Sequence, residues 1–360
     1  MIKPYNFVGL IPTIWGIRSR DDINKNIDHL SSLSKAAYWL SNLDIPVRLI
    51  GIPEGALQGF NDEIMDSDHA TYANTCAIDI PGPETERLGE IAKSFGVYLM
   101  AQAKARHEDW PDRFFNVGFI IDPQGEVIHK QYKLSTLFPC EHSVCAHDIY
   151  DWWIEKYGNE LDAFWPVADT EIGRLGFMTA SDANYPENGR GLALNGAEVA
   201  FRGSLPAPFT QNDVMEITTR ARALENNMYV LSPNLGTYYL LPEEETAVDA
   251  GGGNSMVANY KGQVIGKQQY SNGSTFISAT IDIEALRYHR EHAQVSNWLK
   301  DIKSEMCQLI YKDEIYPKNL YLEQQPFKHE EYKKQVIDRQ VDMMLSRDIW
   351  RKSAYTDEGS

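Results

Sequence analysis

The first hundred residues show a helix-period pattern followed by an apolar run, and then the same order again. In the first unit, apolar side chains recur at steps of three and four, which predicts a helix with one apolar face. These residues, all between positions 20 and 44, are Ile23, Ile27, Leu30, Leu33, Ala37 and Leu40. Pro46 ends this helix, and the apolar run 47–52 is typical of a strand buried on both faces. In the second unit, Pro83 opens a helix, Gly96 caps its carboxyl end, and residues 97–101 form the next strand.

Hairpins and further helix–strand pairs continue to about residue 285. A turn at 122–125 joins two β-rich runs, and Lys133 lies at the far end of this hairpin. Helical spacing at 213–227 precedes the apolar strand 228–231. Further strands are predicted at 115–121, 126–132, 173–179, 199–201, 255–258, 264–266 and 275–283. Further helices are predicted after the turn 184–187, ending near 195–196, and at 331–345. Alternating helices and apolar strands predict a layered α/β fold.

The composition fits a folded globular protein and excludes several classes of partner. Of the 360 residues, 43% are hydrophobic and 24% are charged, which is too apolar for a disordered chain. The net charge of −17 would repel phosphate backbones and anionic lipids, so neither nucleic acid nor a membrane is an expected partner. The four cysteines form no CxxC pair, and neither a secretory leader nor a bilayer-length apolar run is evident. We therefore expect a cytoplasmic protein with free thiols.

Polar side chains follow three of the predicted strands, at the edge of the sheet where ligand sites collect in α/β folds. Glu54 follows the strand 47–52, Lys133 follows the first hairpin, and the turn 180–187 follows the strand 173–179. Taken singly, each has an ordinary interpretation, because a Glu in a Pro-Gly turn and a Lys after a hairpin are usually solvated surface charges. All three together, in this chain order, indicate a functional site more strongly than any one of them does.

Three segments together resemble the nitrilase superfamily of carbon–nitrogen hydrolases, over roughly residues 5–285. They are Ile52-Pro53-Glu54-Gly55, the segment from Gly125 to Lys133, and the segment from Gly173 to Glu187 with Gly196-Ala197-Glu198 behind it. The resemblance implies a four-layer α-β-β-α sandwich, with two sheets inside and helices outside. It also implies assembly into homodimers or higher homo-oligomers.

Three details favour an amide over a nitrile as substrate. Pro139-x-Glu141 lies where the aliphatic amidase and formamidase branch carries an additional active-site glutamate. Asn184-Tyr185-Pro186-Glu187 is similar to the same branch. Nitrilases typically follow their nucleophile with Trp-Glu, whereas this chain has Ser181-Asp182. We therefore expect a small carboxamide as substrate, with a nitrile or an N-carbamoyl compound as the alternative.

The resemblance also implies a role for each site residue in a cysteine-bearing parent. Glu54 would be the general base, Lys133 and the backbone N–H of Ser181 would stabilise the oxyanion, and Glu141 would hold Lys133 charged and orient the substrate nitrogen. The reaction would pass through a thioester and would need no metal or organic cofactor. Further predicted substrate-binding residues are Asn184, Tyr185, Gly203 and Ser204, the last two within a candidate lining at 203–210.

One position departs from the family, because the place of the nucleophilic cysteine is taken by Ala180. A methyl group cannot attack a carbonyl, and Ser181 is displaced by one residue in a tight turn, so the chain as it stands is expected to be inactive. Either the cysteine was changed to alanine to trap substrate, or the chain is a natural pseudoenzyme that binds amides. The first explanation is favoured, because a buried lysine with two carboxylates costs desolvation energy that a binder has no evident need for.

Two rival sites and one aromatic segment remain as alternatives. Cys140, His142, Cys145 and His147 offer four zinc ligands, but so close in sequence that they cannot easily surround one ion, and no metal is expected there. The glycines at 251–253 lack the Lys-Ser/Thr of a phosphate-binding loop. The aromatic residues of segment 150–165 are predicted to form core or subunit packing, with a lid over the acyl pocket as the alternative. They are Tyr150, Trp152, Trp153, Tyr157, Phe164 and Trp165.

The chain is predicted to divide into a hydrolase domain, 1–285, and a C-terminal arm, 286–360. The arm is more charged and too polar to form a core alone. Its aromatic residues are therefore predicted to anchor a subunit interface. These residues are Trp298, Tyr316, Tyr321, Phe327 and Trp350.

Overall fold

Two mixed β-sheets form the centre of the molecule in the computed structural model, which describes residues 1–136, 141–205, 213–245, 253–270 and 273–355. The strands are β1 (Tyr5–Ile11), β2 (Ile14–Trp15), β3 (Val47–Gly51), β4 (Tyr98–His107), β5 (Trp110–Ile121), β6 (Val127–Tyr132), β7 (Ala168–Thr170), β8 (Gly173–Phe177), β9 (Val199–Phe201), β10 (Tyr229–Ser232), β11 (Tyr238–Tyr239), β12 (Ser255–Ala258), β13 (Val264–Gln268) and β14 (Thr275–Ile281). The first sheet has the order β14-β1-β3-β4-β5-β6 and the second β13-β12-β10-β9-β8-β7, and β2 pairs with β11 apart from both.

Helices flank both sheets. They are α1 (Ile23–Ser41), α2 (Asn61–Ile64), α3 (His69–Thr75), α4 (Pro83–Phe95), α5 (Tyr150–Tyr157), α6 (Leu161–Phe164), α7 (Pro186–Leu194), α8 (Val214–Asn226), α9 (Ile283–His292), α10 (Ser304–Ile310), α11 (His329–Tyr332) and α12 (Asp338–Ser346). A π-helical turn, Lys333–Ile337, joins α11 to α12. Short 3₁₀ turns occur at Arg20–Asp22, Ala146–Ile149, Ala180–Asn184 and Leu299–Asp301. None of the helices in the described ranges has both the length and the apolar character needed to cross a bilayer.

Three apolar clusters correspond to the three contacts between layers, and they confirm the α-β-β-α sandwich. Ile27 of α1 and Leu88 of α4 pack with one face of the first sheet. Between the sheets, Phe7 contacts Phe201 edge-on at 6.5 Å between ring centroids. Leu192 of α7 packs on the outer face of the second sheet together with residues of α8. The apolar face predicted for α1 is buried at Ile23, Ile27, Leu30 and Ala37, whereas Leu40 at its end is exposed.

The C-terminal arm lies along its own chain, which corrects the predicted role of part of it. Tyr321 is fully buried, stacks edge-on against Phe327, and its N–H donates to the carbonyl of Asp148 at 2.9 Å. The Tyr316 hydroxyl is 2.9 Å from the Tyr332 hydroxyl. Tyr321 is therefore a packing residue of the single chain rather than an interface anchor, whereas Tyr316 and Phe327 are only partly buried. Trp298 and Trp350 are 48% and 50% exposed.

The predicted boundary after residue 285 falls inside α9. Ile283 and Leu286 of this helix are both fully buried in the cluster between the sheets. The Asp282 side chain caps the helix by accepting from the Ala285 N–H at 2.9 Å. The helix therefore belongs to the body of the molecule, and the arm begins after it.

Candidate active site

Glu54, Lys133 and Glu141 meet in one buried cluster, as the sequence predicted for the ends of β3 and β6. The Lys133 ammonium donates to Glu54 Oε1 at 2.8 Å and to Glu141 Oε2 at 2.6 Å. All three residues are buried, with exposed fractions of 3–4%. Both carboxylates therefore face one cation in a site from which bulk water is largely excluded.

Asn116 of β5 holds the two carboxylates in place, and sequence reasoning did not identify it. Its side-chain amide donates to Glu54 Oε1 at 2.7 Å and to Glu141 Oε1 at 3.0 Å. Gln102 of β4 donates to the Asn116 amide oxygen at 2.5 Å and accepts from the Gly55 N–H at 3.0 Å. This network fixes the amide orientation of Asn116 and so the direction of both glutamate side chains.

The charges in this cluster stabilise one another. Burial alone lowers the pKa of Lys133, but the carboxylates of Glu141 and Glu54 outweigh burial, so this pKa lies well above its usual range. Burial alone raises the pKa of Glu141, but the Lys133 ammonium outweighs it together with a hydrogen bond from Ser143, so this pKa lies below its usual range. Lys133 is therefore cationic and Glu141 anionic at pH 7.

Ala180 lies in a tight 3₁₀ turn just after β8, held through its backbone. Its φ of 45° is in the left-handed region, which non-glycine residues rarely adopt. Its N–H donates to the Gly203 carbonyl at 3.2 Å, and its carbonyl accepts from the fully buried Arg202 side chain at 3.2 Å. A Cβ on Gly203 would lie 2.7 Å from the Cα of Pro53, so only glycine lets the segment after β9, which holds the Ala180 N–H, approach the Glu54 segment this closely.

Asp182 joins this turn to the residues that follow Lys133. Its Oδ1 accepts from the N–H groups of Leu134 at 3.1 Å and Ser135 at 2.7 Å. The Ser181 hydroxyl donates to the Ser135 carbonyl at 2.5 Å. Burial raises the pKa of Asp182 to about 7, although the Lys133 ammonium opposes this. The Ala180 turn and the loop that follows Lys133, here called the lysine loop, thus form one hydrogen-bonded unit.

Of the predicted substrate-binding residues, Asn184 and Ser204 are held by other protein groups, whereas Tyr185 is half exposed. Asn184 accepts from Arg202 through its side chain at 3.3 Å and is engaged in holding the turn. Ser204 is buried and pairs with Asn234 as an isolated bridge. Tyr185 is 49% exposed. Residues 206–210 of the predicted lining, like Pro139, lie outside the described residues.

A cavity of about 730 Å³ opens beside this unit. Ser135, from the lysine loop, and Tyr185, after the Ala180 turn, both line it. The aromatic segment supplies much of the wall, since Tyr150, Phe164 and Trp165 face the cavity while Trp153 is buried in the core. Core packing, the default interpretation, thus holds for Trp153, and a lid over the acyl pocket stays a prediction for the residues that border the cavity.

His142, Cys145 and His147, the described residues of the rival zinc set, do not converge on one point. The His147 ring packs near Tyr150 and Tyr316, whereas the His142 ring packs 4.7 Å from the His329 ring. Cys145 lies at the start of the 146–149 turn, where its N–H donates to Asp148 Oδ2 at 3.0 Å. Burial raises the pKa of the Cys145 thiol well above its usual value, and the Asp148 carboxyl acts in the same direction. Cys140 and two of the three glycines at 251–253 lie outside the described residues.

A signal for the unpredicted site residues was present in the sequence but did not specify their partners. Gln102 and Asn116 are polar residues in the buried parts of β4 and β5. Such residues in a buried strand require a partner. Which partner depends on strand register, which pairs Gln102 with Gly118 and Lys104 with Asn116. Arg202, directly after β9, was missed for the same reason.

Comparison with known proteins matches this chain to one sequence family. The carbon–nitrogen hydrolase family matches residues 13–291. Formamidases of Bacillus cereus strain AH820 and of Bacillus anthracis are each 33% identical over 226 residues, covering 62% of this chain and 59% of those proteins. The chain thus spans less than two thirds of the length of these curated relatives.

Solved structures with a similar fold include an amidase of Nesterenkonia AN1 from the nitrilase superfamily. A Cys-to-Ala mutant of that amidase aligns with a TM-score of 0.63 at 18% identity, covering 85% of this chain and 97% of that one. The same mutant in complex with butyramide aligns with a TM-score of 0.61 at 18% identity, covering 85% and 96%. At this level of identity the likeness establishes the fold.

Proposed function

This chain belongs to the carbon–nitrogen hydrolase family, and from that premise we propose that its site is built for the hydrolysis of a small carboxamide to carboxylate and ammonia. The observation that carries the proposal is the Lys133 ammonium held between the carboxylates of Glu54 and Glu141 at 2.8 and 2.6 Å. A buried cation with two buried carboxylates supplies a base and an oxyanion partner in one place. The formamidase relatives and the butyramide complex of the Nesterenkonia amidase support an amide as substrate.

The proposed cycle needs a thiol at position 180. Glu54 takes the thiol proton, and the thiolate attacks the amide carbonyl carbon. Lys133 and the Ser181 N–H stabilise the tetrahedral oxyanion, the C–N bond breaks, and ammonia leaves with a proton returned by Glu54. Glu54 then takes a proton from water, whose oxygen attacks the thioester carbonyl and releases the carboxylate and the thiol. Glu141 keeps Lys133 charged and orients the amide nitrogen.

We propose that Ala180 occupies the nucleophile position and that the chain in this form binds its amide without hydrolysing it. Cys145 is a poor substitute, since burial and Asp148 disfavour its thiolate. The Ser181 hydroxyl donates to the Ser135 carbonyl and is engaged there. Nitrile or N-carbamoyl hydrolysis is the alternative reaction for the thiol form, and an amide-binding pseudoenzyme is the alternative origin of Ala180.

Restoring the thiol tests the proposal. Ala180→Cys keeps the Cβ already present in the turn, so the backbone needs no change, and Ala180→Ser is the matched control without a thiol. The cysteine variant is expected to release ammonia from formamide, acetamide or butyramide, and an added Lys133→Met change is expected to abolish this release. The Ala180 protein is expected to melt at a higher temperature with the same amide.

Three results would contradict parts of this proposal. A folded Ala180→Cys protein that releases no ammonia from amides, nitriles or carbamoyl compounds would overturn the hydrolase proposal. Ammonia release by the Ala180 protein that is lost on Cys145→Ala would show that Cys145 is the nucleophile. Faster release from nitriles than from amides would favour the alternative reaction.

We also propose that the chain forms a homo-oligomer through α10, within the arm. Met306, Leu309 and Ile310 on this short helix are 66–72% exposed. A group of large exposed apolar side chains is typical of a protein–protein interface. A cytoplasmic location is proposed from the thiols alone, since Cys76, Cys145 and Cys307 are all free.

A further inference from the structure

Three side chains from distant parts of the sequence meet at the outer side of the Glu141 segment. They are Asp66, between α2 and α3, His142, directly after Glu141, and His329, the first residue of α11 in the arm. Asp66 Oδ1 and the Nε2 atoms of both histidines all lie within 4.8 Å of one another. Oδ1 is 3.1 Å from His142 Nε2 and 3.8 Å from His329 Nε2.

The two histidine nitrogens are not explained by hydrogen bonding. Both Nε2 atoms are buried and have no hydrogen-bond partner among the residues that the structure describes. Although His142 Nε2 lies at hydrogen-bond distance from Asp66, the two groups are not aligned for a hydrogen bond. The His142 side chain as a whole is 2% exposed. A buried imidazole nitrogen without a partner is costly, so this arrangement calls for an electron-pair acceptor between the three groups.

Contacts around the cluster hold it in place without using these nitrogens. Asp66 has a left-handed backbone, with φ of 47°. The Lys328 ammonium donates to its carbonyl, and the His329 N–H donates to its Oδ1 at 3.3 Å. Lys328 and His329 thus hold the arm against Asp66. These contacts use neither imidazole Nε2 atom, and both atoms lie near the Asp66 carboxylate.

We propose that Asp66, His142 and His329 form a binding site for a divalent transition-metal ion, with Zn²⁺ the best fit, that joins the arm to the hydrolase body beside Glu141. Two imidazoles and one carboxylate are ligands that zinc binds in three-ligand sites, whereas Mg²⁺ and Ca²⁺ prefer oxygen ligands alone. Bonds of about 2.0–2.1 Å at tetrahedral angles place ligand atoms roughly 3.4 Å apart. The present separations of 3.1 and 3.8 Å bracket that value.

The site differs from the zinc set considered from sequence, with which it shares only His142. Within the described chain, the hydrogen bonds and ion pairs of Glu54 and Lys133 involve none of its three residues, although His142 is the neighbour of Glu141. Asp66 and His329 are partly exposed, which leaves room for water as a fourth ligand. A bound ion would fix the backbone of Glu141 through its neighbour and tie the arm to the loop after α2.

Zinc binding to the purified full chain tests the proposal. Protein treated with chelator and dialysed is titrated with zinc chloride by calorimetry, and bound metal is measured by mass spectrometry after a second dialysis. One zinc ion per chain is expected, together with a rise in melting temperature. Cobalt(II) in its place is expected to show the visible absorption of a low-symmetry site with nitrogen and oxygen ligands.

Matched variants separate this site from adventitious binding. His329→Ala and Asp66→Asn change partly exposed residues and are expected to weaken zinc binding by about tenfold or more. His292→Ala removes an exposed histidine outside the cluster and is expected to leave binding unchanged. Circular dichroism confirms that each variant is folded. Absence of stoichiometric zinc in the unmodified chain, or equal binding by His329→Ala, would overturn the proposal.

Discussion

Replacing Lys133 by methionine removes the cation between two buried carboxylates while keeping a side chain of similar length. Glu54 and Glu141 then lose contacts of 2.8 and 2.6 Å and retain the donors of Asn116. Because all three ionic residues are buried, solvent cannot replace the lost ammonium without opening the site. The expected result is a large loss of folding stability, separate from any effect on catalysis.

The magnitude follows from the burial of the pair. At these distances each contact is worth about 6 kcal/mol of Coulomb energy at an effective dielectric constant of about 20, and desolvation of the charges offsets most of it. Removing one partner of such a buried pair costs about 3–5 kcal/mol, because the remaining charges are left uncompensated. At about 2 °C per kcal/mol for a chain of this size, the melting temperature should fall by roughly 6–10 °C.

Urea unfolding followed by far-UV circular dichroism measures this loss. The matched control is Lys318→Met, which breaks an exposed pair with Asp151 of 3.0 Å and should cost about 0–1 kcal/mol. Adding Glu54→Gln and Glu141→Gln to Lys133→Met removes the stranded charges and should restore part of the lost stability. If Lys133→Met is no more destabilising than Lys318→Met, the three residues do not form the buried ionic cluster described above.

Three further predictions concern other parts of the molecule. Burial lowers the pKa of His129 to about 4, so its contribution to stability is complete above about pH 6.5 and is lost as the pH falls toward 4. His129→Gln should therefore make the free energy of unfolding, measured with urea, fall less steeply across this pH window. An unchanged slope of stability against pH would contradict this prediction. Gly96 caps α4 at φ 65° with no atom near its missing Cβ, so Gly96→Ala should cost only the conformational penalty, about 1 kcal/mol in the same assay, and no loss at all would refute the left-handed cap. Leu309→Asp should lower the mass measured by light scattering, whereas Leu43→Asp, at an equally exposed site after α1, should not; a mass unchanged by both would exclude an interface at α10.

Periodicity located helices well and strands less completely. The helix predicted within residues 20–44 is α1, Ile23–Ser41, and the second predicted helix is α4, because an amphipathic helix carries its own period of burial. The strand β1 was not predicted. It is a nearly continuous apolar run buried on both faces, and unlike the run 47–52 it has no predicted helix before it to mark where a strand begins.

The site was predicted in its ionic residues and not in the residues that orient them. Family resemblance brought Glu54, Lys133 and Glu141 together, whereas Asn116 became visible only once sheet register placed its amide between the two carboxylates. The position of the arm could not be predicted from its sequence. Its aromatic composition is equally typical of a subunit interface and of a segment folded back on its own chain. Only the buried position of Tyr321 distinguishes the two.

The backbone anchoring of Ala180 has an evolutionary consequence. Its amide and carbonyl are each engaged by neighbours, Gly203 and Arg202, and neither contact involves the side chain. The conformation of the turn is therefore inherited independently of whichever small residue occupies it. Under the role proposed for position 180, a change of this one codon would convert an amide receptor into an enzyme or the reverse, with no rebuilding of the surrounding protein.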